Sequence, residues 1–267
     1  MLRIVNLFKH YRSPDFKEMI LALDEVCLEI GKGETLGIVG ESGAGKTTLA
    51  RCILGLEKPT SGEIYFQGSD IKRLKAKGIK KLRKKLQIIW QDPLIYLNPY
   101  MRIGNIIKEP LRNYCVQEKS YQQRRMEELL DWVELPCSLV NRYPHELSGG
   151  QCQRVAIARA LSLDPELLIC DEAVSNLDAP TQLQILRLLA KIQTVFNLTY
   201  IFISHDIALT TRFCSRMAVM HEGRMVDMGL TSEVLSNPSH PHTRALLSNS
   251  LRIRFLGGWS ERSERHA

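Results

Sequence analysis

The sequence contains no apolar run approaching the roughly 18 residues that a bilayer-spanning helix requires. Its opening residues, Met1 to Tyr11, lack the basic stretch and apolar block of a secretory leader. Both absences lead us to expect a soluble chain that stays in the cytosol. There is also no C-x-x-C pair. The seven cysteines (Cys27, Cys52, Cys115, Cys137, Cys152, Cys170 and Cys214) are odd in number and scattered, with no His cluster beside them. That pattern argues against a disulfide framework and a zinc site, and reads as small apolar residues in a reducing compartment. With no internal repeat or low-complexity tract, the chain reads as a single unit with a possible C-terminal extension.

What is present fits a globular protein. The chain has 267 residues, enough for one large domain or one domain with a small appendage. Hydrophobic residues at 44% and charged residues at 24% are sufficient to bury a real core. Lys+Arg number 36 against 29 Asp+Glu, so the net charge is +7, a mild hint of an anionic partner.

Apolar patterning separates two kinds of strand. Val26, Leu28 and Ile30 alternate with Cys27 and Glu29, and Ile64 to Gln67 alternates similarly, as half-exposed antiparallel strands do. Leu36–Val39, Leu167–Cys170 and Tyr200–Ile203 are instead continuous apolar runs, the pattern of parallel strands covered on both faces. Helical spacing follows at Met126–Val133, Gln153–Leu163 and Gln182–Ile192, the last entered through Asp178 and Pro180. An α/β domain with an added antiparallel sheet is predicted. Met217–Met228, around Glu222-Gly223, reads as a hairpin. After Pro238 the chain reads as irregular, with the compact domain ending near Leu247 and a frayed tail over 257–267.

The strongest chemical signal is Gly40-Glu41-Ser42-Gly43-Ala44-Gly45-Lys46-Thr47, which matches G-x-x-x-x-G-K-[ST] and is followed by Thr48 and a helical run. Glycines let the backbone wrap a polyphosphate and turn its N–H groups inward at a helix N-terminus. Lys46 would contact the β and γ phosphates, and Thr47 would ligate Mg²⁺. Asp171 and Glu172 follow an apolar strand, at the sheet edge where ligands bind. Asp171 suits Mg²⁺ coordination through water, and Glu172 suits a general base on the attacking water.

Leu147-Ser148-Gly149-Gly150-Gln151, upstream of Asp171 and followed by Gln153-Arg154, completes a pattern that resembles the ATP-binding cassette ATPases. The resemblance covers residues 1 to about 250 and implies a phosphate-loop NTPase with a mixed, largely parallel core sheet. It also implies an antiparallel β subdomain and a helical subdomain at about 92–160. Ser148, Gly149, Gly150 and Gln151 match the signature that, in the family, contacts ATP held by the opposite subunit. Gln91 matches the glutamine that touches Mg²⁺ or the lytic water and lies beside the transmembrane partner. Asp178 matches the D-loop, and His205 matches the switch histidine that reaches the γ-phosphate. Tyr11 is the candidate for stacking on adenine. The family's cofactors are ATP and Mg²⁺.

Finer features resemble the ATPases of peptide and nickel importers, among them Arg142-Tyr143-Pro144-His145-Glu146-Leu147 and the run Asn237–Leu247. Ala173 stands where peptide-type members usually carry Pro, and Asn176 where they usually carry Ala. Peptide-type members also commonly continue into a cysteine-rich segment, whereas no Cys follows Cys214 here. These departures favour the E-type subunit of nickel importers, with dipeptide or oligopeptide import as the alternative. A soluble cassette ATPase acting on nucleic acid or ribosomes is a remoter one. The resemblance implies a heterodimer with a paralogous ATPase, two permeases and an extracytoplasmic solute-binding protein, all met at the cytoplasmic face of the inner membrane. The run Lys72–Lys85 holds nine Lys or Arg and no acidic residue. It reads as a solvated helical face, or as a contact for anionic lipid headgroups or nucleic acid. No aromatic residue is interleaved, which argues against base stacking, and no nucleic-acid partner is expected.

Overall fold

The computed structural model describes residues 1–12, 19–114 and 118–256, the last eight by backbone alone. Cys115 and the expected frayed tail at 257–267 lie outside the described residues.

Among the described residues, ten strands form two sheets. β1 (Leu2–Arg12), β2 (Met19–Ile30), β4 (Ser61–Phe66) and β5 (Ser69–Asp70) make an antiparallel sheet in the order β2-β1-β4-β5. The other sheet runs β10-β9-β3-β8-β7-β6, built from β3 (Thr35–Val39), β6 (Leu86–Ile89), β7 (Leu167–Asp171), β8 (Thr199–Ser204), β9 (Arg216–His221) and β10 (Arg224–Leu230). Five of its strands are parallel, and β10 is paired antiparallel to β9 at one edge. The β9–β10 turn has positive φ at both Glu222 (46°) and Gly223 (80°), the geometry that suits the twist of a two-residue hairpin.

Side-chain alternation shows why the central strands are apolar at every position. Leu168, Cys170, Tyr200 and Phe202 belong to one core, shared with helices Ile103–Asn113, Lys119–Trp132 and Gly149–Leu161. Leu167, Ile169, Ile201 and Ile203 belong to a second, closed by β1, β2, β4 and the Lys46–Ile53 helix. A strand with packing on both faces cannot alternate with polar residues, so β7 and β8 are buried throughout.

The helix Ala179–Phe196 begins at Asp178, whose carboxylate accepts from the Thr181 amide, with Pro180 in its first turn. It ends at Asn197 in the left-handed region (φ 49°). The chain beyond Pro238 differs from expectation: instead of irregular structure, a helix spans Pro241–Leu256 and runs through Leu247. Pro241 acts there as a first-turn residue that opens the helix. Asp227 pins its start by accepting from the Ser239 amide (3.2 Å), the His240 amide (3.0 Å) and the Thr243 hydroxyl. The described cysteines are all free. Among the described residues, no helix is long and apolar enough to cross a membrane.

Candidate functional site: a phosphate loop facing two carboxylates

Four parallel strands end at the same edge. In register, Val39 lies beside Ser204, Asp171 beside Ile203, and Cys170 beside Ile89. The residues that follow each strand (the phosphate loop, Glu172, His205 and Gln91) therefore converge. They surround a cavity of about 660 Å³ lined by Ser42, Gly43, Gly45, Lys46, Thr47, Thr48, Gln91, Glu172 and His205, together with Ile20, Leu21 and Ala22 of β2.

The loop reaches its helix through Gly45, whose φ of 102° lies in the region L side chains avoid. A Cβ there would sit 2.3 Å from the Ala22 carbonyl oxygen, so only glycine lets the loop pass this close to β2. Lys46 is 5% exposed, and its ammonium donates to the carbonyls of Gly40 and Glu41, each at 2.8 Å. Burial holds its pKa below the ordinary lysine value, opposed by the nearby charges of Glu172 and Asp171. A buried cation at the first residue of a helix, behind a glycine-containing loop, is an arrangement that can receive polyphosphate.

Asp171 is 4% exposed. Burial raises its pKa; the Thr47 hydroxyl bonded to it pulls the other way, and the charge of Glu172 adds to the rise. Its Oδ1 is buried with no hydrogen-bond partner. A buried carboxylate oxygen left unpaired is unusual in a native fold. Beneath the cavity, beside the Thr47 hydroxyl that lines it together with Gln91, it offers hard oxygen donors that fit Mg²⁺. When bound there with nucleotide, Mg²⁺ neutralises charge on the phosphate oxygens.

Glu172 has a φ of 49°, rare for a residue with a Cβ. Neighbours impose it: the Glu172 amide donates to the Ile203 carbonyl (3.0 Å), and its own carbonyl accepts from the Ser175 hydroxyl (2.9 Å). This turn aims the carboxylate away from the core and towards His205, whose Nδ1 lies 3.2 Å from Oε2.

Other expected residues lie elsewhere. Gly40 and Glu41 present carbonyls to Lys46 rather than lining the cavity, and Ala44 is buried in the core. Tyr11 is half-buried beneath the Lys9 ammonium, 4.7 Å from its ring centre, and pairs across the β1–β2 ladder with Ile20, which does line the cavity. Ile20, Leu21 and Ala22 carry no motif and escaped the sequence reading. Their one signal is an apolar stretch, Met19-Ile20-Leu21, that remains 60, 56 and 40% exposed.

The Ser148–Gln151 run forms a separate, exposed helix start. Ser148 caps it by accepting from the Gln151 amide (3.3 Å), while the Gln151 side chain accepts from the Ser148 amide (3.0 Å). Gly150 packs against Thr181, which is bound to Asp178, so the signature and D-loop form one surface. Hydrogen bonds from the Thr181 amide and hydroxyl hold the Asp178 carboxyl below its ordinary pKa.

A phosphate-loop motif, a strand-end carboxylate pair and a remote, capped helix start carrying Ser148–Gln151 define a phosphate-loop NTPase of the cassette type. The ABC transporter family model matches residues 23–175. The oligopeptide transport ATP-binding protein OppF of Escherichia coli K12 is 45% identical, over 93% of this chain and 77% of that protein. AppF of Bacillus subtilis, also named an oligopeptide transport ATP-binding protein, is 45% identical with the same coverage. Among solved structures, the ATP-binding cassette MJ0796, a post-hydrolysis dimer bound to ADP and Pi, matches with a TM-score of 0.79 at 32% identity, over 86% of this chain and 99% of that one. The cbiO1 protein of Clostridium perfringens, part of the ABC transporter complex cbiONQ, matches with a TM-score of 0.79 at 31% identity, over 96% and 98%. The chain belongs to the ABC transporter family and is an ATP-binding cassette ATPase.

Proposed function

We propose that this ATPase powers peptide import and that hydrolysis takes place in the cavity at the sheet edge. The observation that carries the catalytic reading is the convergence of Lys46, Thr47, Gln91, Glu172 and His205 on one cavity, with the orphaned Asp171 carboxylate beneath. Lys46, Ser42, Gly43, Gly45 and Thr48 hold the β and γ phosphates. Thr47, Asp171 and Gln91 hold Mg²⁺. Glu172 takes a proton from the attacking water, and His205, in contact with that carboxylate, orients it towards the γ-phosphate. Ser148, Gly149, Gly150 and Gln151, with Asp178, are 'offered' from an exposed surface and complete the site of a second ATPase subunit, whose own signature completes this one.

The substrate proposal corrects the expectation drawn from Ala173 and Asn176. OppF and AppF are named for oligopeptide transport, which favours peptides over nickel. The two positions are poor guides to solute for a physical reason. Ala173 is buried behind the site and Asn176 is exposed beside the D-loop, and neither has cause to meet a transported molecule. A paralogous ATPase, two permeases and an extracytoplasmic binding protein complete the proposed machine, which places the chain at the cytoplasmic face of a membrane. Reconstitution of the complex from its native host tests the substrate. Oligopeptides should stimulate ATP hydrolysis while nickel chelates leave it at the basal rate; the reverse pattern would restore the nickel reading.

A further inference from the structure

The basic run identified in the sequence lies outside the nucleotide site, and the site makes no use of it. Its helix, Ala76–Lys85, buries only Leu82. Lys77, Lys80, Lys81 and Lys84 are all exposed and fall at i, i+3, i+4 and i+7, which puts them along one face. Several neighbours have partners: Arg73 pairs with Asp70 (3.0 Å), Lys85 with Glu166 (2.7 Å), Arg83 donates to the Gly55 carbonyl (3.2 Å), and Lys80 lies over the Tyr114 ring (5.3 Å). Lys77, Lys81 and Lys84 form no hydrogen bond or ion pair among the described residues. Their mutual repulsion at helical spacing weakens the helix. The first turn has no acidic residue, and Lys75 at the N-cap provides no capping bond. Positive charge at that end opposes the helix dipole, whereas Lys84 lies in the last turn, where it complements the dipole. A face that works against its own helix in isolation gains most from an anionic partner.

Four exposed lysines along one helical face, three of them without an ion pair among the described residues, match an anionic surface. They match a nucleic acid poorly, because no aromatic residue stands in the run to stack on bases. We propose that the Lys77–Lys84 stripe forms a contact for the anionic phospholipid headgroups of a bilayer, so that the chain touches the membrane directly as well as through permeases. The choice of a bilayer as the source of the phosphates rests on the importer reading.

The purified full chain would be sedimented with vesicles of phosphatidylcholine alone and with vesicles containing phosphatidylglycerol, and compared with the triple variant Lys77→Gln/Lys81→Gln/Lys84→Gln. Each lysine near an anionic surface strengthens binding about five-fold, so the triple variant should bind phosphatidylglycerol vesicles on the order of 100-fold more weakly. Wild-type binding should also fall steeply as salt shortens the range of the attraction. Nucleotide binding, measured on the same samples, should be unchanged, since none of the three lysines lines the ATP cavity. Absence of nucleotide binding in the wild type would refute the ATPase reading, while the vesicle sedimentation decides the lipid contact separately. Equal binding by wild type and variant, absence of binding to phosphatidylglycerol vesicles at low salt, or displacement of the vesicles by a random RNA at lower concentration would overturn the proposal. A Lys→Arg triple variant should retain binding, which separates charge from any folding defect.

Discussion

Replacing Gly150 with alanine tests whether the signature and the D-loop form one mechanical unit. A Cβ at Gly150 would lie 2.8 Å from the Thr181 Cγ2. The methyl cannot swing away cheaply, because the Thr181 hydroxyl donates to one Asp178 oxygen (2.8 Å) and its amide to the other (3.0 Å). Overpacking of this kind costs about 1–3 kcal/mol. The better helix propensity of alanine returns up to about 1 kcal/mol. A net loss of about 1–2 kcal/mol should lower Tm by about 2–8 °C in a chain of this size. ATP hydrolysis should fall as well, because the exposed helix start moves relative to Asp178. Thr181→Ser removes the obstructing methyl and keeps the hydroxyl bond, so Gly150→Ala/Thr181→Ser should recover most of both losses, a coupling of about 1–2 kcal/mol in a double-mutant cycle. Thermal unfolding and steady-state hydrolysis of the four proteins give the answer. If Gly150→Ala is as stable as wild type, or Thr181→Ser brings no recovery, the packing argument is wrong.

Two further outcomes concern other parts of the fold. Burial alone would raise the Asp227 pKa, but the donors from Thr243, His240 and Ser239 outweigh it and hold the carboxyl below its ordinary value. The associated stability is complete above the unfolded carboxylate range and drains away below pH about 4. Asp227→Asn should flatten that acid slope and loosen the C-terminal helix by about 1 kcal/mol, as measured by denaturant unfolding between pH 3 and 6. Thiol labelling at pH 8 should modify exposed Cys27 and Cys137 well before Cys52 and Cys152, whose thiols burial pushes up to about 11. Peptide mapping that found Cys52 labelled as fast as Cys27 would contradict the burial assigned to it.

The parts of the molecule that could be read from the sequence were those where one physical demand acts alone. Burial on both faces demands unbroken apolar runs, so β3, β7 and β8 were visible, and a polyphosphate cradle demands glycines, so the loop was visible as well. β6 was missed because it is four residues long and follows the lysine run directly, leaving no periodicity to detect. The helix Ile103–Asn113 was missed too; it contains Pro110, a residue that signals a break unless packing against neighbouring helices compensates. The C-terminal helix was misjudged for a related reason: Pro241 opens it rather than ending structure, and its anchor, Asp227, lies on β10, beyond the reach of any helix-start pattern. In the site itself, the apolar wall of Ile20 and Leu21 escaped notice because any exposed hairpin end could carry such residues. The positive φ that aims Glu172 depends on Ile203 and Ser175, and no local pattern announces it.

The central claim is that the cavity at the sheet edge hydrolyses ATP with Glu172 as base, and the most direct test compares wild type with Glu172→Gln. The substitution keeps the shape of the side chain and removes its basicity. The account predicts that Mg²⁺-ATP binds the variant as tightly as wild type while turnover falls by about 10²–10⁴-fold, the usual worth of a general base. Normal turnover by Glu172→Gln, with nucleotide bound, would contradict it.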